Sequence, residues 1–479
     1  MNLDIVMYAS AIISVAVVIF MLIKKMDIKI TLFLMGIILI LISIGMGKEI
    51  AIKDFVPSGS FLLDPIQVIV DQFKSTLNAA GFIILLLGGY TAYMSKIGAN
   101  DVTVNVLTRP ISKIKSVYFL VPVVFLLGNL LSLVIPSASN LAIILLATLY
   151  PVLRKAGMSS LSAAAVIATS ATIVPTPLGS DNVAIAEELA KQEAFSGLTV
   201  TEYVFNYHAL VSIPTLIFIA IVHYFWQKRM DKKLEQSTQE SEGKIESEEM
   251  SEKQPNVTGG KLYKFVYAIL PIFPIILLLI AYGIQIGTGS AINISVEVAT
   301  IVSFILAIIC ELVRHKGNKS VLKSTEEFFK GMGGAMPIVA LLVAASVYVT
   351  GLKSIGLIDA LQASMENVQG QGFDFVLPLI LVAITMLIVL LSGSGLALFF
   401  AMVPLVVPLA NAAGISPIAL SIPMGLAGNL MRAISPVAAV VLIVAGTTKK
   451  EPLEIVKRTS VPMLSGIVFM FILSMIVFL

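Results

Sequence analysis

Apolar runs of about 20 residues recur along the chain, at 6–23, 30–44, 209–225, 265–281 and 461–479 among others. That is the length an α-helix needs to cross about 30 Å of hydrocarbon. Polar residues fall between these runs or in compact clusters inside them. The pattern predicts full spans near 5–23, 28–46, 79–95, 159–190, 206–226, 263–283, 291–312, 333–350, 417–448 and 459–478. Two further stretches, 116–153 and 373–412, are expected to enter and leave on one side as re-entrant hairpins. The expected class is an all-α polytopic membrane protein with inverted repeats, two re-entrant hairpins, broken helices and about ten full spans.

Charge placement supports this topology. Cytoplasmic loops carry an excess of Lys and Arg. With the spans above, only Lys48, Lys53, Lys74, Lys191 and Lys353 of the 32 basic residues fall outside. Arg432 alone lies within a span, and the others fall inside. Both termini are then outside. The first run has no basic start and is followed by Lys24 and Lys25, so it reads as a retained span rather than a signal peptide.

Composition agrees. The chain is 57% hydrophobic and 13% charged, against roughly 25% charged for a soluble domain. Its net charge of +3 reflects topology and gives no reason to expect nucleic acid as a partner. The single Cys310 excludes an internal disulfide framework, and His208, His223 and His315 are too scattered for a metal site.

The two halves repeat each other in order. A run from Gly81 to Gly98 corresponds to one from Ala335 to Gly356. Each is followed by a small polar cluster, Ser137-Ala-Ser-Asn140 and Ser392-Gly-Ser-Gly395. Each half then reaches an Ala-Gly-x-Ser turn, at Gly157 and Gly414, and a span broken at Pro175-Thr-Pro-Leu-Gly-Ser-Asp-Asn182 or between Gly425 and Pro436. The lysine pattern gives the units opposite orientations, as in inverted-repeat carriers. The domains are read as 1–70 N-terminal spans, 71–226 first repeat, 227–262 charged cytoplasmic linker, 263–321 two connecting helices and 322–479 second repeat. The linker reads as disordered, because it is rich in charge and has no aromatic residue before Tyr263.

Unwound backbone at membrane depth survives only where protein or a cavity covers it. The hairpin tips and broken spans are therefore the expected site. Candidate substrate ligands are Ser137, Ser139, Asn140, Ser392, Ser394, Asn429, Arg432 and Asp181. Ser137, Asn140, Thr176, Ser394 and Gly395 could offer hydroxyl, amide and carbonyl oxygens to a cation. Asp181 and Arg432 stand out because intramembrane charges mark function by default, although the two could also pair with each other. Tyr90, Tyr93, His208, Gly88 and Gly89 read as packing residues.

With these residues in hand, the chain resembles the DcuC family of anaerobic C4-dicarboxylate carriers, within the ion-transporter superfamily. The resemblance covers nearly the whole chain. It rests on Ala92-Tyr-Met-Ser-Lys-Ile-Gly-Ala-Asn100, Val174-Pro-Thr-Pro-Leu-Gly-Ser-Asp181, Ser392-Gly-Ser-Gly395, Asn429-Leu-Met-Arg-Ala-Ile-Ser-Pro436 and Val456-Lys-Arg-Thr-Ser-Val-Pro462. It implies transport of succinate, fumarate or malate across the bacterial inner membrane, with succinate export in fermentation. It places the hairpin motifs on 137–140 and 392–395, the Pro-rich break on 175–182 and the Asn-x-x-Arg element on Asn429 and Arg432. The chain departs from the family at Leu396, where Asn is usual, and at Leu426, Ala427 and Gly428.

A channel would need a continuous polar lining, and an enzyme would need a convergent acid, base or nucleophile set. Neither is present in the sequence. The expectation is a secondary transporter, not an enzyme, whose partners are the lipid bilayer and a small dicarboxylate. No cofactor is expected beyond a coupling ion. Na⁺, H⁺ or exchange stay open, as do a homodimer and transport of another organic anion or amino acid on the same fold.

Overall fold

A chain that places its backbone in hydrocarbon satisfies its amides and carbonyls only in helices or closed barrels. This chain takes the helical route. The computed structural model describes all residues except 1–2, 25, 53–54, 115, 136, 240–259, 289–293 and 366–373, and every regular element among the described residues is helical.

Nine of the described helices are long and apolar enough to cross a membrane. Eight are Leu3–Ile23, Ile28–Gly45, Asp64–Lys96 (kinked at Ala79), Val200–Leu234, Lys261–Thr288, Val296–Arg314, Lys319–Ser354 and Pro452–Phe478. The ninth, Gly395–Ala413, is the returning limb of the second hairpin, whose other limb is Val376–Ser392. The first hairpin is Val117–Ser132 with Ala138–Thr148. Two further crossings are broken, Ser160–Ala168 with Ser180–Ala190 and Pro417–Arg432 with Ala439–Thr448. No piece of these reaches spanning length alone, so ten crossings appear only when the pieces are joined across their breaks.

Burial follows helical spacing. Leu210, Ile213, Ile217, Ile221 and Phe225 are exposed along one helix, and Leu464, Val468, Ile472 and Ile476 along another. Steps of three or four residues make each set one stripe facing lipid. The opposite faces bury Ile219 against Gly466, where an added Cβ would lie 2.5 Å from the Ile219 side chain.

The opening helices of the two repeats show the inversion directly. A Cβ at Gly81 would lie 3.2 Å from Val339, one at Gly88 would lie 2.7 Å from the Cβ of Ala335, and one at Gly331 would lie 2.5 Å from the Cβ of Ala92. Numbers rise along one helix as they fall along the other, so equivalent helices run antiparallel. Small residues allow this contact, as usual between membrane helices. The repeats also exchange supports. Ser180–Ala190 packs on the second hairpin's returning limb, and Ala439–Thr448 packs on the first's.

Three expectations are corrected. The boundary at 70–71 falls inside Asp64–Thr76, which continues through a π-turn at Leu77–Gly81 into Phe82–Lys96. The second break begins at 433 rather than at Gly425, because Gly425 to Arg432 remain helical. The linker begins later than 227, because the helix Ala209–Gln239 carries on beyond the span. Its polar residues there have partners. Asp231 accepts hydrogen bonds from Ser159 and Ser162 and pairs with Arg458 at 2.5 Å, and Arg458 is only 2% exposed. Residues 240–259 of the expected linker lie outside the described residues.

This topology places Lys155 and Lys191 at opposite ends of the first broken span. In a Cys310→Ser background, single cysteines at these positions should react with an impermeant thiol reagent from opposite faces of the membrane. Labelling of both from one face would contradict a crossing through the break.

Candidate functional site

A helix that begins within the membrane leaves its first backbone N–H groups without intrahelical partners. Two such beginnings meet at one cavity. Ser137 caps Ala138–Thr148, its Oγ accepting from the Asn140 amide at 3.4 Å. Ser180–Ala190 starts after Gly179 with no side-chain cap from that residue, and the Asn182 amide instead donates to Asp181 Oδ1 at 3.0 Å. Ser137, Ser139, Asn140 and Ser180 line a cavity of about 930 Å³. Its other polar walls are Arg432, Thr91, Ser95, Lys96 and Glu327.

Lys96 ends one inner helix and Glu327 lies in the first turn of its antiparallel partner, both on the side rich in basic residues. The cavity therefore opens toward the cytoplasm. Glu327 is paired with Lys330 at 2.8 Å, which offsets its charge at the mouth. Deeper in, helix N-termini supply partial positive charge and Arg432 supplies a full one.

Each break is held by named groups. The buried Asn129 donates from Nδ2 to the carbonyls of Phe125 and Thr169, and its Oδ1 accepts from the amides of Thr172 and Ile173 at 3.0 Å. Gly128 brings that helix close, since a Cβ there would lie 2.3 Å from the Cβ of Ser170. Asn182 Nδ2 donates to the carbonyls of Val174 and Thr176. In the second break, Thr459 donates to the Ala433 carbonyl and Ser435 to the Leu390 carbonyl, at 2.6 and 2.8 Å.

The breaks also touch each other. Arg432 Nη2 donates to the Ala171 carbonyl at 3.0 Å, and Asn429 Nδ2 donates to Asp181 Oδ2 at 3.3 Å. Arg432 and Asp181 thus bond to other groups rather than to each other. The Arg432 Nε is buried with no partner. A guanidinium left with donors to spare beside a cavity is available to a ligand.

The sequence candidates separate into two places. Ser137, Ser139, Asn140 and Arg432 share the cavity lining, with Asp181 next to Ser180 and Asn429 bonded to Asp181. Ser392, Ser394 and Gly395 do not line it; only the following Leu396 does. Ser392 Oγ accepts from the Ser394 amide at 3.2 Å, and a Cβ on Gly395 would lie 2.3 Å from the Gly428 carbonyl oxygen. The second tip is thus packed onto its own broken helix. Thr176 Oγ1 accepts from the Leu178 amide at 3.2 Å, and its carbonyl accepts from Gly179 and Asn182. The residues expected to hold a cation therefore do not form one lining: Ser137 and Asn140 face the cavity, whereas Thr176, Ser394 and Gly395 do not. Asn140 is exposed to the cavity.

Reasoning from sequence missed Ser180, Lys96 and Asn129. An amide within the apolar run of Val117–Ser132 was the available signal for Asn129. Replacing it with Leu strands two buried amides, at about 1–3 kcal/mol each. Asn129→Leu should lower the melting temperature of the detergent-purified protein, while Asn140→Ala should leave it unchanged and reduce transport. Wild-type melting of Asn129→Leu would show that the break is held by other contacts.

The chain matches the family described as DcuC, C4-dicarboxylate anaerobic carrier, across residues 7–479. It is 35% identical over 442 residues to the anaerobic C4-dicarboxylate transporter DcuC of Escherichia coli (strain K12), covering 92% of this chain and 90% of that protein. The protein of the same name from Shigella flexneri gives the same figures. Two solved structures share the fold. Neisseria gonorrhoeae MtrF, described as illuminating a class of antimetabolite efflux pumps, superposes with a TM-score of 0.62 at 15% identity, covering 93% of this chain and 94% of that one. The Alcanivorax borkumensis YdaH transporter, described as having an unusual topology, gives a TM-score of 0.64 at 16% identity, with 93% and 97% covered.

Proposed function

The chain belongs to the DcuC family of C4-dicarboxylate anaerobic carriers, a multi-pass transporter of the bacterial inner membrane and not an enzyme, and from that premise we propose that it carries succinate, fumarate or malate by alternating access to the cavity described above. Transport is coupled to a cation, Na⁺ or H⁺, or proceeds by exchange of one dicarboxylate for another, and serves succinate export during fermentation.

The observation that carries this reading is the half-buried guanidinium of Arg432. It has one carbonyl partner, a buried Nε without any, and two helix N-termini across the same cavity. A dianion entering a low-dielectric site loses hydration that must be replaced. Arg432 can hold one carboxylate through two parallel N–H donors. The amides around Ser139, Asn140 and Ser180 can receive the other, since helix N-termini bind anions. Lys96 near the mouth raises the local concentration of anions on the approach. The apolar second tip, with Leu396 at the wall, makes the first tip and Arg432 the principal polar contacts.

Arg432→Lys keeps the charge and loses the planar fork. A charge-assisted hydrogen bond contributes about 1.5–3 kcal/mol, so the apparent affinity for succinate in proteoliposomes should fall about 10- to 100-fold. A correctly inserted Lys variant with wild-type affinity would remove Arg432 from the substrate site.

A further inference from the structure

The helix Phe82–Lys96 ends at the cytoplasmic mouth of the cavity, and its last turn carries a hydroxyl set apart from most others in the molecule. Serines and threonines inside these helices commonly donate to a carbonyl three or four residues earlier, as Ser132 does to Asn129, Ser170 to Ile167 and Thr148 to Ile144. Such bonds spend the hydroxyl proton on the helix itself. Ser95 is placed otherwise. It is exposed on the cavity wall, and its Oγ accepts from Asn100 Nδ2 at 2.7 Å. Among the described residues, that is the one hydrogen bond its hydroxyl makes.

Asn100 is held rigidly for this contact. It is 2% exposed and lies in the first turn of Ala99–Thr108, just past the left-handed residue Gly98, φ 75°, where the chain folds back. Thr103 of the same helix donates to the Ala268 carbonyl at 3.1 Å, which fixes the helix against Lys261–Ile269. Asn100 Oδ1 is buried without a partner. Buried polar atoms are nearly always paired, so this amide sits there at a cost, and the bond from its Nδ2 to Ser95 is what it provides.

A hydroxyl has one proton to donate and two lone pairs to accept with. Asn100 occupies an acceptor site on Ser95, so the proton is left for the cavity, and accepting one hydrogen bond strengthens donation of another. A carboxylate is an acceptor only. Lys96, the next residue, is also exposed on this wall, and Thr91 lies one turn deeper on the same face. The acidic group at the mouth, Glu327, is paired with Lys330.

We propose that Ser95 and Lys96 form an entry subsite for one carboxylate of the incoming dicarboxylate, and that Asn100 is the positioning residue that turns the Ser95 hydroxyl toward it. This rests on the dicarboxylate reading and extends it to the approach path. The subsite serves substrate arriving from the cytoplasm, because all three residues lie at that end of the cavity.

The test measures labelled succinate uptake by the full-length protein in inside-out and right-side-out vesicles, which present opposite faces of the membrane. Ser95→Ala, at an exposed position, removes the donor, and Asn100→Ala removes its orientation. Each should raise the half-saturating succinate concentration at the cytoplasmic face by about 2- to 10-fold, the range of one net hydrogen bond. The maximal rate should hold, and the opposite face should change by less than about twofold, as when binding is lost without transition-state contacts. The double variant should match Ser95→Ala, because Asn100 acts through Ser95. Wild-type half-saturation of Ser95→Ala at the cytoplasmic face, or an equal rise at both faces, overturns the subsite. Additive effects in the double variant overturn the positioning role. If Asn100→Ala is not recovered folded, Ser95→Ala compared between the two faces still decides the subsite. Wild type that takes up no succinate from either face would instead defeat the substrate reading.

Discussion

Backbone that leaves helical geometry inside a membrane must find its hydrogen bonds in the protein, and the candidate site of this carrier is organised by that requirement. Residues 169–179 and 433–438 leave the helix at depth. Their exposed amides and carbonyls are met by Asn129, Asn182, Ser435 and Thr459, and across the repeats by Arg432 on the Ala171 carbonyl. The break at 169–179 also creates one of the two helix N-termini at the cavity, and the first hairpin tip creates the other. Binding chemistry and structural satisfaction thus draw on one set of groups. An unpaired buried amide is expensive, so the breaks are fixed in place rather than loosely unwound.

The inverted repeat supplies the frame. Glycines at 88 and 331 let the two opening helices cross nearly backbone to backbone, and each broken helix leans on the hairpin of the other repeat. The frame is symmetric but its chemistry is not. The first tip presents Ser137, Ser139 and Asn140 to the cavity, whereas the second presents Leu396, and its Ser392 hydroxyl accepts from the Ser394 amide. Arg432, from the second repeat, offsets that loss by reaching into the first repeat's half of the site. The hairpin-tip serines are therefore not interchangeable, although their sequences look alike.

Much of this was legible in the sequence. Apolar run length, lysine placement and the recurrence of the polar clusters gave the ten crossings, the hairpins and the inversion. Arg432 and Asp181 stand out because charges are rare at that depth. What stayed hidden depends on contacts between distant positions. Asp231 and Arg458 each read as a loop charge until the helix Ala209–Gln239 brings them together. Ser394 and Gly395 stay out of the cavity lining where Gly395 closely approaches Gly428, a contact that no spacing encodes.

The central claim is that substrate occupies the cavity between the first hairpin tip and Arg432. The direct test is protection of that wall from chemical modification. A Ser139→Cys protein in a Cys310→Ser background, held in inside-out vesicles, presents the thiol to the cytoplasmic side. Succinate should slow its alkylation by an impermeant reagent, with half-protection at the concentration that half-saturates transport. Alkylation at one rate with and without saturating succinate would contradict the account.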